Sequence, residues 1–405
     1  MTRRIALMLA LALVVSACVA DNSTATTNGV GSTTSTSQSV PGVEEPTGKL
    51  VILDGSGNVV IADPAGADRL TLTANAGEAA VYFQPIWSPD SSNVAWGQVD
   101  EDGFAVAFQQ VDDDEPTIVP LVNLPFYMNW APDGMSIGSL RNGAAGIEFE
   151  LVDVLAGTSS VLDAGAPFYF SWSPTADRMI THVGTERFDI LTTDGNRANA
   201  GTTSADYFAP QWTTKGIFHV DDMALIIEIL KDSRERIVEV TGVTAFVANE
   251  EGTRVALQSL KASTAISLAQ SEIEAVPTNQ VVVVDVASGE FEVVNTEPAL
   301  GFFWSPDGDS LLMFGGLSSG NSGASVWTVG RGVEEYASFL LPEGLVQRMF
   351  PFFPQYAQSM TFWSPNSTAF TYPAVDGETS AIWVQDLGSE SPERISAGTW
   401  VSWSR

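Results

Sequence analysis

The chain contains a single cysteine, Cys18, so no disulfide can form within it. Lysine is also scarce, with four residues, and 49 acidic against 18 basic residues give a formal net charge of -31. A surface this acidic repels a phosphate backbone, so nucleic acid is not an expected partner. The excess of acid is consistent with a protein that stays soluble in a salty exterior. Hydrophobic residues nevertheless make up 44% of the 405 residues, which is enough to build a large core.

Catalytic motifs are missing as well. The sequence has no G-x-S-x-G elbow, no H-E-x-x-H zinc motif and no glycine-rich phosphate loop that follows a strand and opens a helix. It has two histidines, His182 and His219, and each falls in a predicted strand. We interpret both as structural histidines and predict a protein that is not an enzyme.

The N-terminus has the pattern of an export signal. Arg3 and Arg4 precede an apolar run over residues 5–15, which is too short to span a bilayer. The following Val15-Ser16-Ala17-Cys18 resembles the bacterial lipobox, in which the cysteine is lipidated; an ordinary secretory signal is the alternative. We therefore predict a signal peptide over 1–17, and a lipidated Cys18 that begins a Ser/Thr-rich tether over 18–48. The folded part, 49–405, would be exported and held to the membrane by lipid, without a cofactor and as a monomer.

One short motif recurs through the folded part. Phe303-Trp304-Ser305-Pro306-Asp307-Gly308 reads as the end of a strand followed by a tight turn, and the apolar run that comes next reads as a second strand. Val247 stands where a much weaker copy of the motif would have its tryptophan. The tryptophans that anchor the other copies are Trp87, Trp130, Trp172, Trp212, Trp304, Trp363 and Trp403.

The spacing of these anchors predicts the fold. Successive anchors, Val247 included, are 43, 42, 40, 35, 57, 59 and 40 residues apart. A period near 40 with about four short strands per repeat is typical of an all-β propeller. Eight anchors predict eight four-stranded blades; seven is the alternative if the Val247 copy is not independent. The predicted strand that ends at Trp403 is an inner strand with no outer strands after it. The predicted strands 50–53, 59–62 and 69–72 are three outer strands with no inner strand before them. We therefore expect the two termini to share one blade.

These W-S-P-D-G copies resemble the WD40-like repeats of TolB-type propellers, over roughly residues 49–405. The resemblance implies four strands, a to d from the channel outward, with each anchor at the end of strand a. It also implies that a–b and c–d turns share one side, here called the turn face. The b–c and d–a connections share the other, the loop face. TolB carries a small α/β domain before its propeller, whereas this chain has a predicted tether there.

The longest connections are expected on the loop face. They are Leu260–Thr278, Gly315–Ala324 and Pro342–Gln358, and the last is rich in aromatic residues. Two interpretations are open for its rings: they plug the central channel, or they form an apolar lip that binds a partner. The second interpretation makes these side chains ligand-binding: Phe350, Phe352, Phe353 and Tyr356.

Carboxylates are also expected on the loop face. Asp100 and Asp102 fall in one b–c turn, and Asp221 and Asp222 in another. Such oxygen ligands suit calcium, although neither pair has the wider ligand spacing of a dedicated calcium loop.

The sequence as a whole favours a binding module for an envelope protein, peptide or glycan. One alternative is a hydrolase or lyase with a site in the central channel that depends on His182 or His219. A purely structural scaffold is the other alternative.

Overall fold

The computed structural model describes residues 44–77, 79–185, 187–229, 233–260 and 275–405. Cys18 and most of the predicted tether, and most of the connection at Leu260–Thr278, lie outside these ranges. Within them, no helix has both the length and the apolar character that crossing a bilayer requires. The described chain is a propeller of antiparallel sheets, which confirms the all-β prediction.

Six sheets have four strands each, and each is formed by four consecutive strands. The first three sheets are β4–β7 (Val81–Trp87, Asn93–Asp100, Gly103–Gln110, Thr117–Leu121), β8–β11 (Pro125–Trp130, Ser136–Gly143, Gly146–Asp153, Thr158–Gly165) and β12–β15 (Phe168–Trp172, Arg178–Val183, Arg187–Thr192, Arg197–Asn199). The next three are β16–β19 (Gln211–Trp212, Ile217–Asp221, Ala224–Ile229, Ser233–Glu239), β20–β23 (Thr244–Ala248, Arg254–Ser259, Val281–Asp285, Phe291–Asn295) and β24–β27 (Ala299–Trp304, Ser310–Gly316, Ser322–Thr328, Gly332–Ser338).

The seventh sheet joins the two ends of the folded chain. Its strand order is β28-β29-β30-β1-β2-β3. The bounds are Ala369–Asp376, Thr379–Asp386 and Glu393–Trp403 for β28–β30, and Leu50–Asp54, Val59–Ala62 and Leu70–Thr71 for β1–β3. Trp403 pairs with Leu50 across the junction, so the predicted closure between the C-terminal strand and the N-terminal blade is confirmed.

The long strand β30 explains the number of sheets. Its first part is an outer strand, where Ala397 pairs with Ala381 of β29, and its second part is the inner strand that pairs with β1. No turn separates the two parts. Counted as hydrogen-bonded sheets, the propeller therefore has seven members, which is the alternative count and not the predicted eight. The strand β30 belongs to both of the last two repeats, and the Trp363 segment joins this sheet through an isolated bridge between Trp363 and Phe370 of β28.

The anchor tryptophans connect neighbouring repeats. Each of five indole N–H groups donates to the carbonyl of the residue that precedes the previous anchor. The bonds run from Trp87 to Ser402, Trp130 to Ile86, Trp172 to Asn129, Trp304 to Val247 and Trp363 to Phe303, with N···O distances of 2.8–3.4 Å. The motif therefore builds the ring, as its predicted position at the a–b corner implies.

The weakest copy of the motif needs a correction. Trp304 pairs with Leu311 of the next strand, and Ala248, rather than Val247, holds the equivalent register opposite Val255. The Trp304 indole also bonds the carbonyl before Ala248, as the ring pattern requires. Alanine at 248 therefore replaces the tryptophan, and Val247 was the wrong assignment.

Candidate ligand-binding face

The connection Pro342–Gln358 folds into the central channel. It contains α1 (Glu343–Arg348), a 3-10 helix (Phe350–Phe352) and α2 (Phe353–Tyr356). Pro351 and Pro354 fall in the first turns of the last two, where a missing N–H costs nothing. Residues of these helices contact the inner strands β12, β20 and β24, on three different sheets. We call residues 342–358 the plug.

Gln355 fixes the plug to an inner strand. Its Oε1 accepts the backbone N–H of Phe170 and its Nε2 donates to the Phe170 carbonyl, both at 2.9 Å. The Tyr127 hydroxyl donates to the Gln355 carbonyl, also at 2.9 Å. An inner strand has a free edge toward the channel, and a free edge invites pairing with another chain. At Phe170 the glutamine side chain occupies that edge as a strand would.

Two other glutamines bond the inner strand of the next repeat in a similar way, Gln211 from the inner strand β16 and Gln258 from the second strand β21. Gln211 accepts the Ala248 N–H at 2.6 Å and donates to the Phe246 carbonyl at 3.0 Å. Gln258 accepts the Ala299 N–H at 2.8 Å and donates to the Ala299 carbonyl at 3.4 Å. These carboxamides close strand edges that would otherwise face the channel.

The plug buries three of the four aromatic residues predicted to bind a ligand. Phe353 meets Phe302 edge-on, with ring centroids 4.6 Å apart. Phe350 lies against Gly301, where an added Cβ would stand 2.7 Å from its ring. Tyr356 is also buried, and its hydroxyl donates to a backbone carbonyl.

Burial puts Phe350, Phe353 and Tyr356 out of reach of a partner, so for them the apolar-lip interpretation is corrected to core packing. Phe352 is the one of the four that stays exposed, at 39%.

A cleft of about 490 Å³ opens beside the plug. It is lined from b–c turns by Gly55, Gly377 and Glu378, from a d–a link by Gly398 and Thr399, and from α1 by Glu343. All of these connections belong to the loop face. Val375 also lines the cleft and is half exposed, and its N–H donates to the carbonyl of exposed Leu340. The loop face therefore combines a concave surface, accessible backbone at glycines and exposed apolar side chains, which are features of ligand sites.

The four aspartates predicted to hold calcium do not come together. Asp100 and Asp102 lie at the β5–β6 turn of the first sheet, where Asp100 accepts the Asp102 N–H at 3.0 Å. Asp221 and Asp222 lie at the β17–β18 turn of the fourth sheet, where they pair with Arg234 and Arg236. Among the residues described, no group of three potential metal-ligating side chains is found. The predicted carboxylates are therefore turn and ion-pair groups in this structure.

The two histidines are packed between the third and fourth sheets. His182 is 1% exposed, stacks on Tyr207 at 4.4 Å between ring centroids, and shares a hydrogen bond of 3.0 Å with the Phe208 carbonyl through Nδ1. Burial lowers the pKa of His182, so the ring is neutral near neutral pH. His219 is 0% exposed and packs on Phe188 at 4.7 Å. Neither side chain is accessible to a substrate.

The sequence does not predict the glutamine contacts or the cleft. A glutamine in a strand resembles any polar residue, and nothing in the sequence distinguishes Gln355 from Gln347 before the plug is seen in the channel. The cleft depends on four chain segments, around Gly55, Glu343, Gly377 and Gly398, that meet only through the closure of the ring.

The comparisons with known proteins support the fold. Neither a protein-family model nor a curated protein sequence matches the chain. The eukaryotic initiation factor is similar in structure, with 10% identity, a TM-score of 0.54, and coverage of 89% of this chain and 98% of that one. Oligogalacturonate lyase from Vibrio parahaemolyticus is similar with 10% identity, a TM-score of 0.51, and coverage of 86% and 96%. TolB from Acinetobacter baumannii matches with 12% identity, coverage of 86% and 78%, and a TM-score of 0.42. At such identities the first two likenesses show a shared propeller fold alone.

Proposed function

We propose that this protein is a lipid-anchored, extracytoplasmic propeller that binds an envelope protein, peptide or glycan on its loop face. The observation that carries the proposal is the plug. Because Gln355 and the buried aromatic rings fill the channel next to β12 and β24, a ligand would bind outside the channel, and the cleft beside the plug offers it a concave surface on the loop face.

The exposed apolar side chains of the loop face support the same assignment. Val122 is 74% exposed in the d–a link before β8, and Phe126, Leu340, Phe352 and Val375 are also exposed. Of these, Val375 lines the cleft and Leu340 is bonded to it, and exposed apolar groups next to a concave surface are typical of binding surfaces. The channel-enzyme alternative depended on His182 and His219, whose burial removes them as acid–base groups, so we do not propose it.

The lipid anchor is tested by fractionation. In the Cys18→Ser variant the thiol that would carry the lipid is absent, so we expect the protein to move from the membrane fraction to the soluble exported fraction. A variant that remains with the membrane would contradict the anchor.

The binding face is tested with the detergent-solubilised full-length protein as bait for envelope extract and for a panel of cell-wall glycans. The double variant Leu340→Asp/Val375→Asp places two charges beside the cleft, and we expect capture of the specific ligand to fall at least about tenfold, which corresponds to ~1.4 kcal/mol. Leu155→Asp is the matched control, because Leu155 is an exposed apolar residue in a c–d turn of the turn face. Equal loss in both variants, or none in either, would count against a loop-face site.

A further inference from the structure

The first described residues of the chain are fastened to the turn face. The Thr47 N–H donates to Asn366 Oδ1 at 3.3 Å, and Asn366 Nδ2 donates to the Glu45 carbonyl at 2.9 Å. The Thr47 carbonyl accepts the Trp403 indole N–H at 2.8 Å, and the Lys49 N–H donates to Ser404 Oγ at 2.9 Å. We call residues 45–49 the strap.

Gly48 shows that the strap position is specific. Its φ is +88°, which L side chains rarely adopt. A Cβ on Gly48 would stand 2.7 Å from Ser404 Oγ and 2.8 Å from Pro365 Cδ. Pro365 belongs to the a–b turn after Trp363, and Ser404 follows the last inner strand. The strap therefore enters the fold at the inner part of the turn face.

The candidate site lies at the other end of the same strands. The strand β1 begins at Leu50, directly after the strap, and ends at Asp54, directly before Gly55 of the cleft. Six residue steps from Lys49 to Gly55 correspond to about 20 Å of extended chain. β30 also connects the two faces, from Gly398 at the cleft to Trp403 at the strap.

We infer that, in the anchored protein, the turn face is directed toward the lipid surface and the loop face is presented away from it. The inference rests on the lipid anchor of the proposed function and on the position of the strap. It gives the binding face an orientation: its ligand approaches from the side remote from the host membrane.

The length of the tether favours this orientation. A random coil of 26 residue steps, the number from Cys18 to Glu44, has a root-mean-square span of about 28 Å. If the loop face were turned to the membrane, the tether would have to run from the inner strand to the outer edge of a blade, which is three strand spacings. It would then have to run along the outside of the blade to the loop face, which gives a path of roughly 35 Å in total. That path exceeds the typical span, so it costs the tether conformational entropy. With the turn face toward the membrane, the tether reaches the strap without this additional path.

Energy transfer from single labels to the membrane tests the orientation. Cys18 is blocked by lipid in the anchored protein, so an introduced cysteine is the one free thiol of the chain. Met135→Cys places it in the a–b turn after β8, and Val122→Cys places it in the link before β8. Both native side chains are exposed and apolar, at 66% and 74%, so the two variants are matched.

Each full-length variant, labelled with a donor dye, is reconstituted in phosphatidylcholine vesicles that carry an acceptor lipid. We expect at least about twofold more transfer from position 135 than from position 122, because the two ends of a blade differ in height by about 20 Å. Equal transfer, or more from position 122, would overturn the orientation while leaving the anchor intact. Absence of transfer from both, as in a Cys18→Ser background, would overturn the anchor and the orientation with it. Unchanged thermal unfolding of both variants shows that the labels report on the native fold.

Discussion

The two ends of strand b differ in how much the repeats share. At the turn-face end, the residue opposite each anchor is apolar and buried in all of these repeats: Val94, Ile137, Met179, Ile217, Val255 and Leu311. Three residues closer to the loop face, the corresponding positions carry unlike side chains: Gly97, Leu140, His182, Val220, Gln258 and Phe314. Strand b therefore begins with similar residues in these repeats, at the turn face, and ends with different residues, toward the loop face.

The difference follows from what each end must contact. At the turn face the repeats meet similar neighbours, because five anchor indoles donate to the carbonyl before the previous anchor, so similar residues fit there in each repeat. Toward the loop face each strand meets something unique. Gly97 leaves room for the Phe83 ring, which would stand 2.0 Å from an added Cβ, and Phe314 packs against Phe350 of the plug at 6.0 Å. We therefore expect the loss of a unique contact to cost more than the loss of one member of the repeated set.

The largest effect is expected in the plug. Phe353→Ala removes a ring that is buried against Phe302 and leaves a cavity, so the free energy of unfolding should fall by about 3–5 kcal/mol. Urea unfolding followed by tryptophan fluorescence measures this. Phe352→Ala, next to it and partly exposed, is the control and should cost less than about 1 kcal/mol. Similar small losses in both variants would mean that the plug is not part of the core.

A second unique contact is the buried charge cluster near the loop-face end of β9. Arg141 is buried, its Nη1 lies 2.6 Å from Glu148 Oε2, and its Nε pairs with Glu150. Arg141→Met leaves two carboxylates together without a cation, so we expect a loss of about 3 kcal/mol in urea unfolding. The control is Arg394→Met, whose partner Asp376 is exposed and 2.9 Å away; its loss should stay below about 1 kcal/mol. Equal losses would remove the distinction between buried and exposed pairs here.

The repeated part of the molecule was the predictable part. Tryptophan spacing gave the propeller, and the incomplete repeats at the two termini predicted the pairing of β30 with β1. The register of the decayed copy was missed because Asn249 takes over the role of the turn serine: its Oδ1 accepts the Arg254 N–H at 3.0 Å, as Ser305 Oγ accepts the Ser310 N–H at 2.9 Å. Matching by residue type does not reveal that equivalence.

The unique part could not be derived in the same way. The sequence marks the aromatic segment of the plug, but the choice between plug and lip depends on whether a strand edge in the channel bonds Gln355, which is a tertiary contact. The number of sheets depends on β30 continuing past Gly398 without a turn. The sequence around Gly398 does not distinguish this continuous strand from the d–a links of the other repeats.

A smaller effect is expected within the repeated set. Trp363→Phe keeps an aromatic ring at the anchor but removes the N–H that donates to the Phe303 carbonyl at 3.0 Å. We expect a loss of about 1–2 kcal/mol, from one hydrogen bond and a small reduction in packing. Thermal or urea unfolding measures it beside the plug variant. A loss as large as that of Phe353→Ala would contradict the view that the anchors share their task around the ring.

The subtlest test concerns pH and a residue from the variable end of strand b. Burial lowers the pKa of His182 in the folded state, while the unfolded chain titrates near its ordinary value of about 6.5. Below that value the unfolded state binds a proton that the folded state does not, so stability falls as the pH is lowered, by at most about 1.4 kcal/mol per pH unit for this one group. His182→Phe keeps a ring on Tyr207 but cannot titrate or bond the Phe208 carbonyl. It should therefore be less stable than the wild type at pH 8, and that deficit should shrink between pH 6.5 and pH 5. A deficit that stays constant over this range would show that the buried ring does not couple folding to pH.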